Sequence, residues 1–375
     1  MTRSSFLGPV VLLSILTACG EPPPPATPVN VEPVPTVPAA VAPPPPVVAK
    51  APEPTAEEKK KAEDLQKLQE DRAKTDEDNK AELARWTPEM HAAAKALAEK
   101  VYPTGKAAMQ AAMAGKHRKP DAAARDKYRH PVETLDLFGF KPTMTVLEIG
   151  PGEGWYTDLL APALAKKGKL LVTTGDPNGP VDQRGTLYAQ RTKAYLDKAP
   201  ELFGKVEAVT VDGKAPKLGA DNSLDMVLIM RGLHGMHGNG TLKAWLSELQ
   251  RTLKPNGVLG IEEHRAKEGA NPDETAKKGY LAEKFVIEQI EAAGFKLAGK
   301  SEVNANAKDT RDYEDGVWTL PPTFRLKDKD HEKYAAIGES DRMTLKFVKV
   351  APKAAPAAAA PAAAPKAGAA PPAKK

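Results

Sequence analysis

From Met144 onward, short β-rich apolar runs alternate with helical stretches, and this alternation limits the chain's folding options more than any other feature. The strand candidates read MTVLEIG, KLLVTTGD, KVEAVTVDG, SLDMVLIM, GVLGIEEH, FKLAGKSEV and MTLKFVKV. Between them lie GWYTDLLAPALAKKG, TLYAQRTKAYLDKAP, LKAWLSELQRTLK and AEKFVIEQIEAAG, each long enough for a helix. Parallel strands need crossover helices, and those helices must cover the faces of the sheet. The pattern predicts an α/β fold with a doubly wound, mostly parallel sheet of seven strands. Upstream, TPEMHAAAKALAEKVY is a capped helix, with Thr87 as cap and Pro88 in its first turn. DAAARDKYRHPVETLDLFG is further helix, broken before Pro131.

The flanks have a different composition. The chain contains 36 prolines, of which 20 fall in residues 21–56 and 351–375. Neither segment can build a core. Residues 20–56 are expected to be an extended spacer, and residues 351–375 a disordered Ala/Pro/Lys tail. Residues 57–86 are strongly charged, with Leu65, Leu68 and Leu83 as large apolar groups, which predicts a solvated or partly disordered helical stalk. The folded domain is therefore expected over residues 87–350. The formal net charge of +5 is concentrated in the tail, where Lys353, Lys366, Lys374 and Lys375 meet no acid. A nearly neutral remainder argues against a nucleic-acid binder.

The one cysteine, Cys19, excludes an internal disulfide. It follows Arg3, an apolar run from Phe6 to Leu16, and the small residues Thr17 and Ala18. A charged start, a short apolar stretch and small residues form a secretory signal over residues 1–19. The run is shorter than the roughly 20 residues needed to span a bilayer. Its ending, LTAC, resembles a bacterial lipobox. That resemblance implies lipidation of Cys19 and a membrane anchor in the cell envelope.

The stretch VLEIGPGEGWYT places an acid, Glu148, ahead of three glycines at alternate positions, Gly150, Gly152 and Gly154. It lies at the first strand-to-helix turn. In doubly wound sheets ligands bind beyond the carboxyl ends of the strands, where such turns stand. Glycine lets the backbone turn tightly and approach a ligand without a Cβ clash. The dinucleotide fingerprint G-x-G-x-x-G does not fit, because the third glycine comes one residue early. An acid at Glu148 would repel a pyrophosphate and suits an ammonium or sulfonium ligand.

This E-x-G-x-G-x-G pattern resembles motif I of class I S-adenosylmethionine-dependent methyltransferases. Further matches follow in the order found in that superfamily. Asp176 follows the second strand and Asp212 the third, where such enzymes hold ribose hydroxyls and adenine. NSLDMVLIM resembles the fourth strand, with Asp225 read as structural. LSELQRTLKPNGVLGIEEH resembles the stretch around the fifth, with Asn256 in place of a glycine, and AAGFKLAG leads into the sixth. RDKYRHPVETLDLFG (125–139), GWYT (154–157), EEHRA (262–266), VWTLPP (317–322) and AIGESDRMTLKFVK (336–349) narrow the resemblance to exported bacterial predicted methyltransferases. The resemblance implies a Rossmann-like methyltransferase sheet, with S-adenosyl-L-methionine as cofactor and Glu148, Gly150, Gly152, Gly154, Asp176 and Asp212 as its binding residues. It also implies that Arg125, Arg129, His130 and Arg342 face the acceptor side. For the first two, a solvated helix face is the simpler account. Trp155 and Tyr156 either close the cofactor site or pack the following helix on the sheet.

The histidines raise the question of chemistry. His234 and His237 follow the fourth strand in RGLHGMH, and His264 ends the fifth. The (Asp/Asn)-Pro-Pro-aromatic motif of amino-methylating relatives is absent there, which counts against nucleic-acid bases as acceptors. Methyl transfer needs a base only when the acceptor keeps its proton, and His234 and His264 are the candidates. A metal site is not expected, since His234 and His237 are read as lying in a glycine loop without fixed spacing. The expected acceptor is a small molecule or lipid-like envelope component. A non-catalytic nucleoside-binding module or an envelope scaffold stays open, because fold alone does not choose between them. Oligomeric state has no signature in the sequence.

Overall fold

The computed structural model describes residues 54–350; the expected signal, Cys19, most of the proline spacer and the Ala/Pro/Lys tail lie outside them. Seven strands form one sheet: β1 (Thr145–Ile149), β2 (Lys169–Thr174), β3 (Glu207–Thr210), β4 (Leu224–Met230), β5 (Leu253–His264), β6 (Phe295–Ser301) and β7 (Arg342–Lys349). Their spatial order is β3-β2-β1-β4-β5-β7-β6. All neighbours pair in parallel except β7, which runs antiparallel to both β5 and β6. The order reverses between β1 and β4, so the crevice of the sheet opens there.

Alternation within a strand assigns its residues to two layers. In β1, Val146 packs into a core built with the helices Pro88–Glu99, Gly105–Met113 and Thr157–Leu164. Leu147 and Ile149 pack on the other face, with the helices Leu242–Thr252 and Glu283–Ala292. Each fully buried Leu, Ile or Phe side chain contributes about 1.5–3 kcal/mol, so these two layers hold the sheet rigid beneath the turns that follow its strands.

Two local features differ from the sequence expectation. The charged segment is a continuous helix, Ala56–Arg85, begun by a capping box between Thr55 and Glu58. It docks on the domain through buried Leu68 and through Glu82, which bonds Arg85 (2.8 Å), Lys198 (3.0 Å) and Trp86 Nε1 (3.1 Å). Packing therefore starts upstream of Thr87: Lys198 reaches Glu82, Arg72 donates to Val181 O and Gln190, and Arg184 pairs with Asp71. Second, RGLHGMH is not loop but the short helix Leu233–Gly238. The helix Leu242–Thr252 ends before Pro255, and Asn256 takes φ +61° inside β5. Asparagine tolerates that region better than most residues, so it replaces a glycine there at small strain.

Candidate active site

The turn after β1 is held from both sides. Gly150 N–H donates to Thr173 Oγ1 of β2 at 2.9 Å, and Thr157 Oγ1 donates to Glu148 Oε2 at 2.7 Å. Gly150 and Gly152 sit at φ +62° and +59°, and a Cβ built on either meets no atom within 4 Å. The backbone there borders open space, a cradle that side chains would occupy. Gly154, at φ +81°, serves packing: a Cβ there would lie 2.2 Å from the Tyr195 ring. Glu148 is buried and bonds the first residue of the next helix, so it orients the turn. Burial pushes its carboxyl up to about 7, against the Thr157 hydrogen bond and the Arg231 charge. Asp176 and Asp212 stand exposed beyond β2 and β3. Each accepts a 2.8 Å bond from the amide two residues on, Asn178 and Lys214. They thus share the carboxyl edge of the sheet with the glycine turn. Asp225 ties strands together instead, accepting from Thr145 N–H and Lys254 Nζ.

Across the crevice lies a buried ionic network that joins Arg125, Arg129 and Arg342, expected from the resemblance, to acids for which the motifs gave no role. Glu262 of β5 is fully buried and accepts from Tyr156 Oη (2.8 Å) and Arg231 Nη1 (3.0 Å), with Arg342 Nε 3.2 Å away. Burial alone would raise its pKa, but Arg231, Arg342 and Arg129 hold it below the ordinary range. Glu339 pairs with Arg125 Nε (2.6 Å), Arg342 Nη1 (2.7 Å) and Arg129 Nε (3.4 Å). Burial opposes its ionisation too, yet Arg129 and Arg342 pull its pKa to about 2. Arg342 also donates to Tyr128 O. Arg125 and Arg129 are therefore not a solvated helix face. Arg129 is buried, with its guanidinium carbon 4.6 Å from the Trp155 ring centre. Trp155 and Tyr156 pack inward; Trp155 Nε1 donates to Ala122 O at 2.8 Å. His130 Nδ1 pairs with Asn304 Oδ1 at 3.2 Å.

The two expected catalytic histidines come together. The rings of His234 and His264 are 5.7 Å apart, His234 meets Trp318 edge-on at 6.2 Å, and His264 meets Tyr280 at 6.1 Å. Their electrostatics diverge. Burial would lower His234, but Glu263 Oε1, 2.9 Å from Nδ1, raises it above the ordinary histidine range. Burial and then the positive charges of His234, Arg231, Arg342 and Arg129 drive His264 well below that range. His264 Nδ1 is 2.6 Å from Ser340 Oγ. His237 turns away to Asp273 (2.8 Å) and Phe285. Among the described residues no group of three or more His, Cys, Asp or Glu could hold a metal ion.

Arg231 and Tyr280 carry no motif, and Glu339 and Ser340 lie in AIGESDRMTLKFVK without a role assigned to them there. The available signal was chemical: charged residues inside strand-forming runs, as in LIMRG, IEEH and GESDRMTL, must find partners when the strands are buried.

The sheet order, the antiparallel seventh strand and the glycine turn after β1 define a Rossmann-like methyltransferase fold. Residues 147–261 match the family model described as a methyltransferase domain. Among solved structures the chain is similar to a SAM-dependent methyltransferase from Aquifex aeolicus, with 21% identity over 62% of this chain and 94% of that one, at a TM-score of 0.40. It is also similar to the N-methyltransferase NodS from Bradyrhizobium japonicum, with 16% identity over 61% and 98%, at a TM-score of 0.37. No curated protein matches.

Proposed function

We propose that this protein transfers a methyl group from S-adenosyl-L-methionine to a small-molecule or lipid-like acceptor. The observation that carries the reading is the unobstructed pair Gly150 and Gly152, both left-handed, directly after β1 at the reversal of strand order. The residues present fit the cofactor: a bare turn for its body, Asp176 beyond β2 for ribose hydroxyls, and Asp212 beyond β3 near adenine. When bound, the cofactor supplies an electrophilic methyl on a sulfonium, and an enzyme of this kind works mainly by positioning. His264 stays neutral at physiological pH. With Nδ1–H donated to Ser340 Oγ, its Nε2 is the nitrogen free to take a proton from a hydroxyl acceptor. Glu263 favours the protonated form of His234, and charge there disfavours protonation of His264 beside it.

The same proposal extends to place. Lipidation of Cys19 would tether the domain to the cell envelope, with the proline spacer setting its distance from the membrane. Mass spectrometry of the mature N-terminus tests this, and an unmodified Cys19 in cells excludes it.

Calorimetry with S-adenosylmethionine and S-adenosylhomocysteine tests the main reading. Both should bind the full chain, and Gly152→Val should abolish binding while the far-ultraviolet circular dichroism stays unchanged. Parent protein that binds neither ligand would refute the proposal.

A further inference from the structure

The buried network carries more positive than negative charge. Arg125, Arg129, Arg231 and Arg342 form their ion pairs with two carboxylates, Glu262 and Glu339, and even with buried Glu148, which feels the Arg231 charge, the cations outnumber the acids. The excess is localised. Arg342 donates to Glu339 and Tyr128 O, and its Nε lies 3.2 Å from Glu262, sealed from solvent. Arg125 holds Glu339 at 2.6 Å. Arg129 makes one long bond, Nε to Glu339 at 3.4 Å, and its two Nη groups donate to nothing among the described residues. Arg231 uses Nη1 on Glu262, and its Nη2 likewise has no acceptor. The free ends of both are absent from the sealed, partnerless atoms of the interior, so they border accessible space. Arg129 is buried and the Arg231 side chain keeps 19% of its surface, so each presents open donors at the rim of accessible space, where an anion is attracted more strongly than in bulk water.

Position gives the open ends a meaning. Arg231 follows the last residue of β4 at φ +60°, and its N–H is fixed to Glu262 O at 2.6 Å. A non-glycine residue held in that region stores strain, which clusters at ligand sites. Arg129 lies on the Trp155 ring of the glycine turn. A chain of contacts links them to each other and to His264: Arg129 pairs with Glu339 and Arg231 with Glu262, Arg342 touches both carboxylates, and His264 stands opposite Arg342 where β5 pairs with β7. Trp318, Tyr280 and the two histidines supply an aromatic wall beside them.

The geometry points to an oxyanion subsite formed by Arg129 and Arg231, which takes the carboxylate or phosphate of an anionic methyl acceptor and sets its protic group against His264. This rests on the methyltransferase reading of the crevice. Paired guanidiniums bind such groups through parallel N–H bonds, which fixes orientation as well as charge.

The test is calorimetry on the full chain, first with S-adenosylhomocysteine and then, on the saturated protein, with inorganic phosphate and with benzoate. Parent protein should bind at least one of the two anions. Arg129→Gln and Arg231→Gln should each weaken that anion about tenfold to a hundredfold while leaving S-adenosylhomocysteine affinity within about twofold. Arg129→Lys, which keeps the charge without the fork, should weaken it by an intermediate factor and guards against misfolding. Glu339 keeps Arg125 and Arg342 in these Arg129 variants, so the network should survive. Failure of the parent to bind S-adenosylhomocysteine would sink the methyltransferase reading itself. Normal nucleoside binding with no anion binding, or with anion affinity indifferent to both variants, overturns the subsite alone. So does an Arg129→Gln loss confined to S-adenosylhomocysteine and absent with its decarboxylated analogue, because the guanidinium would then serve the cofactor's own carboxylate.

Discussion

The glycine-turn half of the crevice and the arginine half are built in opposite ways. The first is made by leaving atoms out: Gly150 and Gly152 border open space, and the nearby acids Asp176 and Asp212 are exposed. The second is made by putting charges in, with Glu262, Glu339, Arg129 and Arg342 all buried. Open space needs only a backbone that can take the turn. A buried charge needs a partner, or the fold loses several kcal/mol. The glycine half should therefore be sensitive to added atoms, and the arginine half to deleted ones.

The largest expected effect tests the second half. Glu262→Ala leaves Arg231 and Arg342 without their shared carboxylate and Tyr156 Oη without an acceptor. Loss of one partner from a buried pair destabilises by about 3–5 kcal/mol, to be read from the denaturant midpoint at constant slope. A loss below about 1 kcal/mol would mean that water already compensates these charges, and the contrast between the halves would dissolve.

Glu148 is nearly as consequential, with the opposite sign. Its carboxyl is raised from 4.5 to about 7 in the folded state. Between those values the folded chain binds more protons than the unfolded one, so stability falls as pH rises, by on the order of 3 kcal/mol in all. Glu339, lowered from 4.5 to about 2, contributes stability that is complete above its unfolded value and is lost as pH falls toward 2. Glu148→Gln should thus flatten the decline between about pH 5 and about pH 8 while leaving acid denaturation in place. Urea titrations across that range check it; a parallel decline in parent and variant would place the alkaline loss elsewhere.

What could be read in advance follows the same division. Strand–helix alternation is carried by local periodicity, so all seven strands were legible, and the spacing of Glu148, Gly150, Gly152 and Gly154 is contiguous in the chain. The arginine network is assembled from residues 125–129, 231, 262 and 339–342, and no local pattern says which charge will meet which. Arg125 and Arg129 even sit at helical spacing that suggests a solvated face. Glu339, more than 200 residues away, decides otherwise. The stalk helix illustrates the same limit, since its docking uses partners far along the chain, Lys198 for Glu82, Arg184 for Asp71 and Val181 and Gln190 for Arg72.

The glycines themselves allow a sharper division. Gly152→Ala adds a methyl to open space and should cost only the left-handed strain, about 1–2 kcal/mol. Gly154→Ala carries comparable strain and in addition drives Cβ against the Tyr195 ring, so it should exceed Gly152→Ala by about 1–3 kcal/mol. Ligand affinity should rank them in reverse, with Gly152→Ala the more damaging. Thermal melts and nucleoside titrations of the two variants give both orders, and equal stability losses would break the assignment of Gly154 to packing.

The smallest effect concerns the histidine pair, where the two halves meet. Glu263 Oε2 accepts from Leu233 N–H and His234 N–H, while Oε1 accepts from His264 N–H and faces His234 Nδ1. Glu263→Gln can keep an oxygen on the Leu233 and His234 amides but removes the negative charge that favours protonation of His234. The His234 ring should then titrate at a lower pH, since burial and Arg231 are left to disfavour its charge. His264 feels His234 as one of its cations, so it should move upward as His234 neutralises, with burial still keeping it low. Ring-proton nuclear magnetic resonance across the acid range follows both groups at once. Opposite displacements would establish that the two histidines form a coupled pair poised by one carboxylate. A fall in His234 with His264 unmoved would leave them as separate groups, each set by its own surroundings.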